Sequence, residues 1–252
     1  MIRYLQKIGI VLAVTLFGHN VLAVDTEVES RLKQALENAA SNMRVESVEP
    51  SGIEGLYEVT FLNGPTIVAH ESGAYFFVGD LFSVHENGFV NITEMRRNGE
   101  RAKLMAQVKD EDTAIFKPEG DVKAVISVFT DTTCYYCRKL HAEVPRLNEL
   151  GVEVRYLAYP RYGLTPKREN RRGLDELQST WCSDNRAEML TAYKNNESRE
   201  LKTCASNLVA QQFDLGRAVG VSGTPAIVLD SGELIPGYKT ADQLAEILGI
   251  AE

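Results

Sequence analysis

Beyond its first 23 residues the chain has no apolar run approaching the roughly 20 residues that a bilayer-spanning helix requires, so no helical membrane span is expected there. It is short of positive charge, with 27 Lys and Arg against 35 Asp and Glu and a net charge of −8. Such a surface makes nucleic acid a poor partner. Cysteine is absent from the first 133 residues; Cys134, Cys137, Cys182 and Cys204 all lie in the second half. The spacing that zinc needs is missing too, since Cys182 and Cys204 have 21 residues between them and His141 stands alone after the first pair. No metal and no cofactor is therefore expected, and His141 reads as a partly exposed helix residue.

What is present begins with a charged, then apolar leader. Arg3 and Lys7 precede an apolar run from Ile8 to Phe17, and Val21-Leu22-Ala23 supplies a small-residue cleavage pattern. Residues 1–23 therefore read as an export signal, with the mature chain starting near Val24. Its loss removes two basic residues and no acid, which moves the net charge to −10. Export delivers the four cysteines to an oxidising compartment, where disulfides are the default.

Residues 27–40 place Val28, Leu32, Ala35, Leu36 and Ala39 at helical spacing. The following "LYEVTFLNGPTIVAHESGAYFFVGDLFSV" alternates apolar and polar residues between turn signals at Asn63-Gly64 and Glu71-Ser72-Gly73, predicting an antiparallel meander. Residues 24–90 thus form a small α+β module, marginal alone by its surface-to-volume ratio and relieved by pairing with a second copy. "GAYFFVGDLFSV" is the segment that can extend a partner's sheet, or it is an ordinary internal strand. Residues 91–111 read as a linker helix, with Asn91 three residues before Glu94 as a capping start and Gly99 as a place to bend.

Residues 112–252 change to an α/β pattern. "VKAVISVF" is a continuous apolar run, the mark of a strand buried on both faces, and it leads into "DTTCYYCRKL". Leu140, Val144 and Leu147 then recur at helical spacing, with Pro145 placed to kink or shorten the helix. "VEVRYLAYP" predicts a second strand parallel to the first. Residues 167–219 are mostly helical in pattern; two strands around Asp230-Ser231-Gly232 and a terminal helix complete a thioredoxin-like order with a helical insertion.

A cysteine opening a helix meets unpaired backbone N–H groups and the positive end of the helix dipole, which favours its thiolate. Cys134 is so placed. Cys137, one turn further in and more buried, suits a resolving thiol. Cys182 and Cys204 are the natural second pair, although four cysteines allow three connectivities. Thr224-Pro225 precedes a strand, where an X-Pro bond has ready access to the cis isomer. Asp131 is near enough to serve either as a proton acceptor or as an N-terminal cap.

"FTDTTCYYCRKLH", "GVEVRYLAYPRYGL", "STWC" and "GVSGTPAIVLDSGELIPGY" resemble the bacterial periplasmic protein disulfide isomerases of the DsbC type, and "GAYFFVGDLFSV" resembles their dimerisation segment. The resemblance implies a V-shaped homodimer in the periplasm, with an apolar cleft for misfolded, disulfide-containing exported proteins. It implies Cys134 as nucleophile, Cys137 as resolving thiol, Thr224 and Pro225 beside the substrate, and a structural disulfide between Cys182 and Cys204. A membrane reductase of the DsbD type would keep the active pair reduced. Tyr136 fits the family motif, but many members carry glycine where this chain has Tyr135, so fold and reaction carry over and a redox potential does not. Tyr135 is either an aromatic contact for unfolded substrates or a neutral exposed residue. The rival readings are a dithiol oxidase of the DsbA type, against which the pairing module and linker helix argue, and a holdase chaperone with incidental cysteines.

Overall fold

The computed structural model describes residues 25–62, 64–205 and 207–251. The leader expected at residues 1–23, and Asn63 of the expected Asn63-Gly64 turn, lie outside them. The described residues divide into two compact units, one up to Leu81 and one from Phe82 onward.

In the first unit α1 (Thr26–Ala39) is capped by Asp25, whose side chain accepts a hydrogen bond from the Glu27 N–H. Its apolar stripe, Val28, Leu32 and Leu36, is buried against Val48, Val59, Phe61, Ile67 and Ala69 of an antiparallel sheet. That sheet is ordered β1 (Val45–Pro50), β2 (Leu56–Phe61), β3 (Thr66–His70), β4 (Phe76–Phe77). The strand β4 is an edge of two residues, and Tyr75, Phe76, Phe77 and Val78 around it are exposed.

The second unit opens with the hairpin β5 (Phe82–His85) and β6 (Gly88–Asn91), which the sequence pattern counts with the N-terminal module. Helix α2 (Ile92–Met105) follows directly. Asn91 caps it by accepting from the Glu94 N–H, and the helix continues through Gly99. Arg101 of α2 donates to the Val219 carbonyl and pairs with Glu94.

A five-stranded sheet carries the rest, in the order β11-β10-β8-β9-β7. Its strands are β7 (Ala114–Phe116), β8 (Ala124–Thr130), β9 (Val152–Ala158), β10 (Ala226–Leu229) and β11 (Leu234–Pro236). β8 and β9 run parallel, joined by α3 (Tyr135–Ala142) and α4 (Val144–Glu149); the other pairings are antiparallel. Pro145 accounts for the break between the two helices. It has no N–H to donate and its ring would crowd the carbonyl four residues back, whereas in the first turn of α4 neither matters.

The apolar run of β8 is explained by its two covered faces. Ile126 and Val128 join Leu140, Leu147, Leu190 and Leu244 in one cluster, while Phe129 joins Leu157, Tyr159, Val219 and Val221 in another. The helices α5 (Arg172–Trp181), α6 (Arg186–Lys194) and α7 (Val209–Ala218) form the insertion, and α8 (Ala241–Ile247) closes the chain behind a Thr240–Gln243 capping box. Cys182, at the end of α5, is disulfide-bonded to Cys204, with Cα atoms 5.5 Å apart.

The turn between β10 and β11 packs directly on α2. Gly232 has φ +83°, and a Cβ there would lie 1.8 Å from the Asn98 carbonyl oxygen. Gly232→Ala therefore forces both a left-handed backbone onto a non-glycine residue and a backbone shift. It is expected to cost at least about 2 kcal/mol in guanidinium unfolding of the full chain. An unchanged midpoint would show that this contact carries no stability.

Candidate active site

β8 ends in a buried polar stretch, Thr130, Asp131 and Thr132, whose turn aims the next residues at the helix. Asp131 Oδ1 accepts from the Thr133 N–H at 2.7 Å and the Thr133 hydroxyl at 2.6 Å, and its Oδ2 accepts from the Arg161 N–H at 2.9 Å. With three donors on its carboxylate, Asp131 holds the turn. Gly173 makes the close approach possible, since a Cβ there would sit 2.9 Å from Asp131 Oδ1. This glycine, more than 40 positions from the aspartate in sequence, carries no local signal of its role.

Cys134 is the N-cap of α3, with φ −78° and ψ 124°, and no side chain caps the helix. The first N–H groups are thus left to the sulfur itself. The Cys134 thiol is lowered from its ordinary value to about 5, first by a hydrogen bond from the Cys137 thiol and further by the Cys137 and Tyr136 N–H groups and Thr224, against the opposing effect of burial. Cys137 moves the opposite way, well above the ordinary thiol range, because it is fully buried and because it gives its hydrogen bond to Cys134. Two cysteines three residues apart thereby acquire opposite characters.

The Thr224–Pro225 peptide bond is cis. The Thr224 carbonyl faces Cys134 Sγ at 3.3 Å, as an acceptor for its thiol, and the buried Thr224 hydroxyl is on the same side of the sulfur. A shallow cavity of about 160 Å³ runs alongside, lined by Val221 to Ala226 and by Leu234 and Pro236. Residues 90 positions apart are brought together here by the β8–β10 pairing.

Around this centre Tyr135 and Tyr136 are exposed, their rings 5.3 Å apart. Tyr136 stacks towards Tyr238 at 6.5 Å, and Lys139 Nζ lies 4.7 Å from the Tyr238 ring centroid. Tyr238 donates its phenolic hydrogen to Glu143 at 2.6 Å, which pushes its own ionisation up to about 12. Tyr238 was within reach of sequence reading, in "GVSGTPAIVLDSGELIPGY", but no periodicity assigns it to the aromatic shelf. Cys182 and Cys204 are apart from the dithiol, paired with each other.

Two residues depart from or escape the sequence reading. His141, expected to be partly exposed, is buried: its Nε2 lies 3.0 Å from Thr191 Oγ1 and its Nδ1 3.3 Å from the Tyr156 hydroxyl. The reason is that α6 and β9 both cover that side of α3, which no local pattern reveals. Burial, with the charge of Lys194, lowers His141 to about 3, so it is neutral at physiological pH. Lys194 is the other. The last residue of α6 is 3 % exposed, and its ammonium donates to Thr130 Oγ1 at 2.7 Å and, at 3.4 Å, to the Cys137 carbonyl. A lysine at a helix end normally signals solvent, so its sequence signal was misleading.

A dithiol with one thiolate-favouring member, opening a helix and facing a cis-proline on a mixed sheet, defines the thioredoxin-fold thiol:disulfide oxidoreductases. Residues 109–251 match the family described as Thioredoxin-like domain, and residues 23–94 match the Disulfide bond isomerase protein N-terminal domain. The chain is 35 % identical over 220 residues to the thiol:disulfide interchange protein DsbC of Dickeya dadantii, covering 87 % of this chain and 86 % of that one. It is 33 % identical to the protein of the same name from Haemophilus influenzae over 229 residues, 89 % of this chain and 90 % of that one. A solved disulfide interchange protein from Neisseria gonorrhoeae is 27 % identical, with 57 % of this chain and all of that chain covered at a TM-score of 0.49. The chain belongs to the DsbC family of thiol:disulfide interchange proteins.

The low Cys134 value has a pH signature. Alkylation of the reduced protein at Cys134 is expected to be nearly flat above roughly pH 6 and to fall as pH drops through about 5. Because the folded value lies below the unfolded one, the thiolate's contribution to the stability of the reduced form is complete above the ordinary thiol range and is lost as pH falls through about 5. The reduced protein should therefore lose stability relative to Cys134→Ser over that descent. An alkylation midpoint near about 8.5 would contradict the assignment.

Proposed function

We propose that Cys134 is the nucleophile and Cys137 the resolving thiol of a protein disulfide isomerase acting on exported proteins in the periplasm. The observation that carries this reading is the divergence of the two thiols, one lowered to about 5 and the other raised by burial. The Cys134 thiolate attacks a non-native client disulfide; one client sulfur bonds to Cys134 and the other leaves as a thiolate. That thiolate attacks elsewhere in the client until the native pairing expels Cys134 reduced. When the client stalls, Cys137 attacks Cys134 Sγ, the client is released with its disulfide reduced, and the enzyme leaves oxidised. A membrane reductase of the DsbD type then restores the dithiol.

In this reading residues 1–23 are the cleaved signal, residues 24–90 pair two chains into a homodimer, residues 91–111 link, and residues 112–252 catalyse. The exposed Phe76 and Phe77 of the short edge strand β4, with Tyr75 just before it, support the pairing role of the N-terminal module. Thr224 and Pro225 line the place where the client backbone meets Cys134, and Tyr135 and Tyr136 offer aromatic faces to unfolded chain. Cys182 and Cys204 brace the insertion.

The mature protein is expected to recover activity from a scrambled multi-disulfide substrate in a glutathione buffer. Cys134→Ser should abolish that recovery while leaving suppression of aggregation intact, and Cys137→Ser should trap a mixed disulfide with the client. Full recovery by Cys134→Ser would leave only the holdase reading. Rapid oxidation of a reduced substrate without any rescue of the scrambled one would favour a DsbA-type oxidase.

A further inference from the structure

A buried ammonium needs a counter-charge, since the cost of removing it from water is several kcal/mol unless an anion or a set of hydrogen bonds replaces the solvent. Lys194 Nζ has two oxygen acceptors, Thr130 Oγ1 and the Cys137 carbonyl, and it lies 5.2 Å from the Tyr156 ring centroid. Among the described residues no carboxylate is within ion-pair distance of it. The groups facing it are Cys134, Cys137, Arg138 and His141 of α3, Asp131 after β8, and Tyr156 of β9. His141 is neutral, Tyr156 is held protonated by burial, and Asp131 already accepts three hydrogen bonds. The charges left to answer Lys194 are the Asp131 carboxylate, beyond ion-pair distance, and the thiolates of the dithiol, Cys137 foremost.

Of the two sulfurs, Cys137 is the one in need of such help. Cys134 draws on the backbone N–H groups at the start of α3, whereas Cys137, one turn in, is enclosed and has only the Asp131 N–H on its sulfur. We propose that Lys194 is a positioning residue for the resolving step, its fixed positive charge beneath α3 being what allows Cys137 to become a thiolate when a mixed disulfide has to be broken. The direction of the electrostatics agrees: burial raises Cys137 and lowers Lys194, and against that effect Lys194 draws Cys137 down while Cys137 draws Lys194 up.

In the step itself Cys137 loses its proton to water, its sulfur attacks Cys134 Sγ, the Cys134–Cys137 bond forms and the bond from Cys134 to the client breaks. The client sulfur departs with the electron pair and takes up a proton, so the enzyme dithiol is oxidised and the client disulfide reduced. Lys194 keeps its proton throughout. The inference rests on Cys137 being the resolving thiol.

The test separates the two chemical steps in the full mature protein. Reduced enzyme is mixed with oxidised glutathione, quenched with acid at intervals, and the glutathionylated and internally oxidised species are counted by mass spectrometry from pH 6 to pH 9. In Lys194→Met the first attack should stay within about threefold of the parent, while conversion of the glutathionylated form to the internal disulfide slows at least about tenfold at pH 7 and recovers as pH rises. Lys194→Arg should restore part of that rate. An unchanged conversion rate in folded Lys194→Met, or an equal fall in both steps, overturns the proposal. Should Lys194→Met not fold, Thr130→Val keeps the ammonium and removes its acceptor; conversion should then slow about threefold with the first attack unchanged, and no slowing overturns the proposal equally. If the parent itself forms no internal disulfide, the assignment of Cys137 as resolving thiol has failed.

Discussion

The catalytic half of this protein is organised around one constraint: the N–H groups at the start of α3 must converge on the Cys134 sulfur, with nothing else capping them. A side-chain cap of the usual Ser, Thr, Asp or Asn kind would stabilise the helix but consume the donors that favour the thiolate. The chain holds the turn from three residues earlier instead. Asp131 binds the Thr133 and Arg161 backbone and the Thr133 hydroxyl, so the approach to the helix is held from outside while Cys134 remains its N-cap. Gly173 lets α5 close over that carboxylate, and Pro145 ends α3 so that α4 can bend back along the sheet.

Placing one sulfur at the helix mouth puts the other under it. Cys137 is enclosed by the same packing that buries His141, Tyr156 and Lys194, and the low polarity of that layer acts differently on each group. It raises Cys137 and Tyr156 and lowers His141 and Lys194, in every case disfavouring the charged form. Such a layer retains a charge only where hydrogen bonds or an opposing charge make up for lost water. Thr130 and the Cys137 carbonyl accept hydrogen bonds from the ammonium there, and the dithiol and Asp131 are the acidic groups that face it. Stability and reactivity at this point are consequences of one buried network.

The two units depend on different kinds of burial. In the second, a sheet covered on both faces makes a continuous core, and α2 is pinned to it by Arg101 and by the glycine turn at residue 232. In the first, one helix covers one face of a four-stranded sheet, and the aromatic residues near β4 are left in solvent. A small module with that much exposed apolar surface is suited to association.

By itself the sequence determined the parts whose signals are local: the alternation of the meander, the Asn91 cap, the two-faced β8, the split at Pro145 and the helix-opening Cys-x-x-Cys. It also carried the family, through motifs spread over most of the chain. The hairpin of residues 82–91 shows the limit, because its strands read as part of the meander while their contacts attach them to α2 and the second unit. Only the tertiary structure decided which polar residues would be buried. His141 and Lys194 look like ordinary helix-surface residues until α3, α6 and β9 are stacked, and Tyr238 joins Tyr136 only when α3 and the β11–α8 connection meet. The physical reason is that backbone preference and hydrophobic period act over a few residues, whereas the dielectric around a side chain is set by whatever the fold places against it.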